Sequence, residues 1–67
     1  MEVSNRLAHL LPHWIEHNEA HVQQLQEWIR KARAAGMVEV ADAIGAAAEA
    51  LGQANGRLAE AAGRLNK

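Results

Sequence analysis

Four histidines recur at every fourth position near the start of the chain, as His9, His13, His17 and His21. Residues four apart lie on neighbouring turns of a helix, so each adjacent pair can chelate one divalent ion through its imidazole nitrogens. His9 and His21 would lie about 18 Å apart and cannot share an ion. Imidazole nitrogen suits nickel, zinc, cobalt and copper. The spacing therefore predicts a two-point site for a divalent transition metal.

The pair His17 and His21 is predicted to be the strongest chelate. Both residues follow Pro12 on the uninterrupted part of the helix, and the helical period puts His17 at the edge of the apolar face and His21 nearly inside it. His13 and Glu16 are the predicted additional ligands, either within one chain or across a dimer. The alternative is a structural or protein-interaction hairpin whose histidines lie at the boundary of the apolar face and bind no physiological metal.

The sequence also bears on enzymatic activity and on the class of partner. Residues 13–17 match the H-x-x-E-H motif of inverted metalloproteases, but two helices provide neither a cleft nor a third ligand. The chain has no Cys, no Glu-x-x-His spacing and no phosphate-binding loop, so we expect no enzyme. A net charge of −1 without a basic block argues against nucleic acid, and no apolar run is long enough for a membrane span. We expect a cytoplasmic protein.

Helix-forming residues dominate the whole chain and predict an all-α fold. Ser4 or Asn5 is the predicted N-cap of a first helix over about residues 4–35. Pro12 either kinks this helix, which the continuing apolar face favours, or separates a short N-terminal turn from a helix that starts at Pro12. Gly36 is the predicted stop, because glycine readily adopts the left-handed conformation just past a helix. A second helix is predicted over about residues 37–65. Such a short connection makes the two helices antiparallel, giving one helical-hairpin domain over residues 1–67.

Each predicted helix has one apolar face that contains a single asparagine. The face on the first helix consists of Leu7, Leu11, Trp14, Ile15, Asn18, Val22, Leu25, Ile29 and Ala32. The face on the second consists of Met37, Val40, Ile44, Ala47, Ala48, Leu51, Asn55, Leu58, Ala62 and Leu65. A turn at Gly36 brings Asn18 opposite Asn55, a polar pair that would fix the register of the helices. The alternative role for Asn18 is in a polar pocket with His17 and His21, opposite Gly52.

Two features of the surface predict self-association. The apolar arc of the first helix extends from Ile15 round to Trp28, about 140°, which is wider than one partner helix covers. On the second helix, glycines form a stripe that indicates either close packing of Trp28 or contact with a neighbouring subunit; the stripe comprises Gly45, Gly52, Gly56 and Gly63. We therefore expect a homodimer that forms a four-helix bundle.

The segment from His13 to His21, together with the segment around Asn55, resembles a small family of His-containing helical hairpins from anaerobic bacteria and archaea. The similarity covers roughly residues 10–65 and is most specific at His13, Trp14, Glu16, His17, Asn18 and His21. Members occur alone or fused to small nickel-binding accessory proteins of the carbon-monoxide-dehydrogenase maturation type. The resemblance implies a link to nickel or related metals and a metal-accessory protein as a partner. Pro12 departs from the usual pattern of the family.

Overall fold

A computed structural model describes residues 2–65 as two antiparallel helices joined by a short turn. The helices are α1, Glu2–Ala34, and α2, Val38–Leu65, and residues 2–65 contain no strand. The hairpin measures 52 × 14 × 12 Å, so it is a rod two helices wide. The predicted all-α hairpin is confirmed. Within residues 2–65, neither helix has a segment long and apolar enough to cross a membrane.

The first helix begins earlier than predicted and is continuous through Pro12. Glu2 lies in its first turn, where the helix dipole favours a negative charge. Capping by Ser4 or Asn5 is therefore wrong, because both residues lie inside α1. Leu11 is only 5% exposed, and its burial against α2 helps to stabilise the helix around the proline. The helix also ends at Ala34, one residue before the predicted boundary.

The turn between the helices is a Schellman motif centred on Gly36. Gly36 has a φ of +79°, its N–H donates to the carbonyl of Arg33 at 3.0 Å, and the N–H of Met37 donates to the carbonyl of Ala32 at 2.8 Å. The carbonyl of Met37 accepts the first hydrogen bond of α2 from Ala41 at 3.0 Å, so Met37 is the N-cap residue. These bonds satisfy the backbone at both helix ends and impose the antiparallel arrangement.

Replacing Gly36 with Ala should lower the free energy of unfolding by about 1–2 kcal/mol. An L side chain in the left-handed region places its Cβ too near the following carbonyl oxygen. The matched control is Gly56→Ala, because Gly56 lies inside α2 and a Cβ added there meets no atom within 4 Å. That change should raise the free energy of unfolding by about 0.5–1 kcal/mol. Urea denaturation at one fixed protein concentration measures both, and equal effects of the two changes would contradict this account of the turn.

The interior of the hairpin is a single line of partly covered side chains. Among the described residues only Leu11 and Ala41 are buried. The apolar residues that are half-buried between the helices are Leu7, Ile15, Val22, Leu25, Ile29, Ala32, Ile44, Ala48, Leu51, Leu58, Ala62 and Leu65. A pair of helices covers only the narrow strip along their line of contact. A face of the hairpin that is formed by both α1 and α2 therefore remains available to another molecule.

Four residues assigned to the inner faces lie outside instead. Trp14 is 41% exposed, Met37 is 50% exposed and Val40 is 45% exposed, and Ala47 is also exposed. Ala41 takes the inner position near the turn and is fully buried. These four side chains lie beyond the strip that one helix covers on its partner, since each apolar arc is wider than that strip.

Candidate metal centre

His17 and His21 form the closest histidine pair of the structure. Their ring centroids are 4.6 Å apart, with an interplanar angle of 83°. Both residues lie near the middle of α1, well away from the fraying ends of the helix. This spacing is that of two imidazoles on adjacent turns, which is the requirement for two-point chelation of one ion.

The other predicted ligands do not join this pair within one chain. The ring of His13 lies 6.4 Å from that of His17, measured between centroids. Glu16 lies about 100° round the helix from His17 and about 140° from His21, so its carboxylate points elsewhere. Across residues 2–65 no group of three His, Cys, Asp or Glu side chains is placed to hold one ion. The described residues of one chain do not bring His13 and Glu16 to the pair, and their part in a shell shared across a dimer stays a prediction.

All four histidines of α1 are exposed, including the two that were placed near the apolar interior. His21 lies about 60° round the helix from Asn18, and His17 about 100°, whereas α2 covers a strip centred on Asn18 and Val22. The placement of His21 nearly inside is thus wrong. Exposure leaves both imidazoles accessible to an ion and to ligands from another chain.

Asn18 and Asn55 meet across the hairpin at the level of the histidine pair. Nδ2 of Asn18 donates to Oδ1 of Asn55 at 2.9 Å, and Nδ2 of Asn55 donates to the backbone carbonyl of Ile15 at 3.0 Å. The two amides thus face each other, as the predicted register requires. The bond to Ile15 was not predicted, because side-chain periodicity gives no information about which backbone carbonyls accept a second bond. No buried side-chain donor or acceptor in the described part lacks a partner.

The alternative polar pocket of Asn18, His17 and His21 does not form. The surface depression beside Gly52 is lined instead by Glu19, Val22, Gln23 and Asn55. Histidine and glutamine side chains at these positions point to opposite faces of the hairpin.

Among residues 2–65, the glycine stripe of α2 has no close neighbour outside its own helix. A Cβ added at Gly52, Gly56 or Gly63 would meet no atom within 4 Å, and one at Gly45 would only touch Ile29 at 4.0 Å. Packing of Trp28 against this stripe is therefore wrong. Because Gly52 lies beside Glu19 and Gln23, the stripe belongs to the face of the hairpin that lacks the tryptophans.

Trp28 lines an apolar groove near the turn instead. The groove has a volume of about 390 Å³, and its walls are Trp28, Lys31, Ala32, Ala35, Met37, Val40 and Ile44. Nζ of Lys31 lies 4.5 Å from the centre of the Trp28 ring, and it also pairs with the carboxylate of Glu27 at 3.1 Å. Trp28 remains 57% exposed. We call this feature the tryptophan groove.

The tryptophan groove shows which side of α1 and which side of α2 lie on the same face of the hairpin; we call such a side the flank of its helix. Trp28 and Val40 line the groove together, so their flanks are adjacent. On α1, the helical period places Leu10, Trp14, His17 and His21 within about 40° of Trp28. On α2, it places Ala47, Ala54 and Ala61 within about 60° of Val40. We call these nine residues the histidine face, an apolar surface with the histidine pair at its middle.

Comparison with known proteins adds the family to this description. A family model described as a domain of unknown function, DUF8180, matches residues 7–65, which is most of the chain. The chain belongs to the DUF8180 family. No curated protein and no solved structure shows a significant match. The matched DUF8180 region contains the turn, both asparagines and all four histidines, so the histidine pair and the amide pair lie within the family domain.

Proposed function

We propose that this DUF8180 protein is a non-enzymatic metal-binding accessory protein, and that its ligands are the His17–His21 pairs of two copies of the chain. The observation that supports the proposal most strongly is the 4.6 Å separation of the two rings. Two exposed imidazoles on adjacent turns of a continuous helix bind one ion at a smaller entropic cost than two independent ligands, because the helix holds their backbones fixed.

The number of ligands makes a second copy necessary. The described part of one chain places two histidines together but no third metal-binding side chain. Closed metal sites in proteins commonly have four ligands, arranged as a tetrahedron for zinc and as a square plane for nickel or copper. Two copies that meet at the histidine face supply four imidazoles. Such a site leaves no position open for a substrate, which favours metal storage, transfer or assembly over catalysis.

Nickel is the metal that we propose first. Four nitrogen ligands suit Ni²⁺ as well as Cu²⁺, and the resemblance to hairpins associated with nickel-binding accessory proteins favours nickel. On the same basis we propose a metal-accessory protein as the partner that exchanges the ion with this chain. Zinc, cobalt and copper remain the competing metals, and a titration with each ion separates them.

Metal binding should depend on His17 and His21 and not on His9. We expect calorimetry with Ni²⁺ to give one ion for every two chains. Replacing either His17 or His21 with Ala should weaken binding by more than the roughly 10–100-fold that loss of a second-shell partner costs. The affinity should also fall on acidification, since protons compete with the metal for the imidazole nitrogens. The control is His9→Ala, an exposed histidine of the same helix, which should bind like the parent.

Two results would contradict this proposal in different ways. Equal weakening by all three substitutions would mean that the histidines act as a nonspecific stripe. Binding no tighter than about millimolar for the parent chain would favour the second candidate, a protein-interaction hairpin with no physiological metal. The observation behind that candidate is that the described residues bury only Leu11 and Ala41, so the hairpin leaves an apolar face for another protein whether or not it binds a metal.

A further inference from the structure

We infer that a second copy of the chain packs antiparallel on the histidine face, with the two-fold axis passing between His17 and His21. This rests on the proposed function for the presence of two copies, and it adds the surface, the direction and the register in which they meet. Three observations support it: the sequence of side chains along the exposed flank of α1, the sequence of side chains along the exposed flank of α2, and the open tryptophan groove.

The exposed flank of α1 is partly symmetric about residue 19: His17 and His21 lie two residues on either side of it and Leu10 and Trp28 nine residues, whereas Trp14 is matched by Gln24. Two antiparallel copies with their axis at this level would pair His17 of one copy with His21 of the other. Further along, Leu10 would meet the partner's Trp28, and Val3 would meet the partner's Ala35. The spacing along the flank alternates between three and four residues, which is the repeat of a helix–helix seam. None of the glutamates of α1 lies on this flank.

The flank of α2 has the same symmetry at the same level. The hydrogen bond between Asn18 and Asn55 places Ala54 beside the level of residue 19 on α1. Ala54 would therefore lie on the axis and meet its own copy, while Ala47 would meet the partner's Ala61. These alanines are spaced by seven residues, so they stay in line along a helix–helix seam. Their small side chains allow the α2 helices to approach closely.

The tryptophan groove provides a site for Leu10 of the second copy. Leu10 is 39% exposed and has no place in the interior of its own hairpin. The antiparallel register carries it to the partner's Trp28 and Ile44, which form one end of the apolar groove. The histidine face spans about 30 Å of each helix. With Val3 and Ala35 at the two ends of the α1 flank, the surface runs along most of the rod, which measures 52 by 14 Å, of the order of the roughly 800 Å² per partner that a specific dimer buries.

A parallel pairing fits these side chains less well. With the two-fold axis along the rod, α1 would pack on the partner's α2, and the two histidine pairs would lie on diagonally opposite helices, farther apart than on two neighbouring α1 helices. The antiparallel register instead pairs Trp14 with the partner's Gln24 and Trp28 with the partner's Leu10. Each large ring then lies against a smaller side chain, which is the arrangement that fills a helix–helix seam without collision.

Cysteine cross-linking tests the direction and register, since the chain has no cysteine of its own. The variants are Val3→Cys and Ala35→Cys, two exposed positions at opposite ends of α1. Each full-length variant is oxidised with diamide in the presence of a chelator, alone and in an equal mixture, and the products are separated by mass. A disulfide forms only where the Cα atoms come within about 7 Å. The matched control replaces Ala34 instead of Ala35, which turns the thiol about 100° round the helix.

We expect the mixture of Val3→Cys and Ala35→Cys to give mixed disulfide dimers at least tenfold above the level of either variant alone or of the Ala34→Cys control. Disulfides between identical variants would overturn the inference in favour of a parallel pair. Absence of cross-linking in every combination would overturn the packing on this face. Because the chelator removes metal, the cross-linking result is independent of nickel binding. If calorimetry gives one ion for every two chains but no mixed disulfide forms, the proposed function stands and only the inferred antiparallel packing is rejected.

Discussion

Replacing Asn18 with Leu should lower the free energy of unfolding by about 1–3 kcal/mol, and replacing Asn55 should cost at least as much. Each change leaves a half-buried amide without the partner it has at 2.9 Å in the hairpin. Asn55→Leu also removes the bond to the carbonyl of Ile15. Replacing both asparagines with Leu should be close to neutral or stabilising, since the seam then becomes apolar and no polar group is left unpaired. Urea denaturation of the parent, both single variants and the double variant measures these differences.

The result that would contradict this pairing is additivity. If the double change costs the sum of the two single changes, the amides do not act as a unit. Asn5→Leu is the matched control, because Asn5 is an exposed asparagine of the same helix and its replacement should change stability by less than about 0.5 kcal/mol. We also expect the double variant to lose specificity of register, which would appear as a less cooperative unfolding transition despite equal or greater stability.

Replacing Pro12 with Ala should raise the free energy of unfolding by up to about 3 kcal/mol. Proline inside a helix cannot donate the backbone bond to the carbonyl of Ala8, and its ring crowds that carbonyl. Pro12 is exposed, so the substitution removes little packing. The added N–H and the high helix propensity of alanine then both favour α1. Thermal or urea unfolding at a fixed protein concentration measures the gain.

Glu16→Ala is the control for the proline substitution. Glu16 is exposed one turn further along the same side of α1, and its replacement with Ala should change stability by only a few tenths of a kcal/mol. No gain from Pro12→Ala would mean that the proline contributes contacts equal to the bond it removes. A gain in stability accompanied by weaker nickel binding would show that Pro12 contributes to the placement of His17 and His21.

The hairpin itself followed from local chemistry. Helix formers along both segments, and a glycine at the one position within residues 2–65 that has a positive φ, determine two helices and the site of the turn. The length of the connection then makes the helices antiparallel. From these facts alone the register could be counted outward from Gly36, which is why the facing of Asn18 and Asn55 could be predicted from the sequence. The start of the first helix could not be predicted in this way, because Ser4 and Asn5 resembled N-cap residues but lie inside α1.

The candidate metal site was predicted in part. The four-residue spacing established that adjacent histidines come together, and the structure places the His17 and His21 rings 4.6 Å apart. The same spacing gave no reason to exclude His13 or Glu16 as ligands. Within one chain, the direction of Glu16 round α1 and the 6.4 Å between the His13 and His17 rings keep both away from the pair, and the second of these is a side-chain placement that only the structure provides.

The two helices, the turn and the register could all be predicted from the amino-acid sequence, because each depends on backbone propensities and on counting residues from Gly36. The tertiary structure decided which side chains are covered. The amphipathic period predicted broad inner faces that included Trp14, Met37 and Val40, yet one helix shields only a narrow strip of its neighbour, so these side chains stay exposed. The tertiary structure also places the tryptophans and the glycine stripe on opposite faces of the hairpin. Burial depends on the positions of both helices together, and the periodicity of either helix alone does not contain that information.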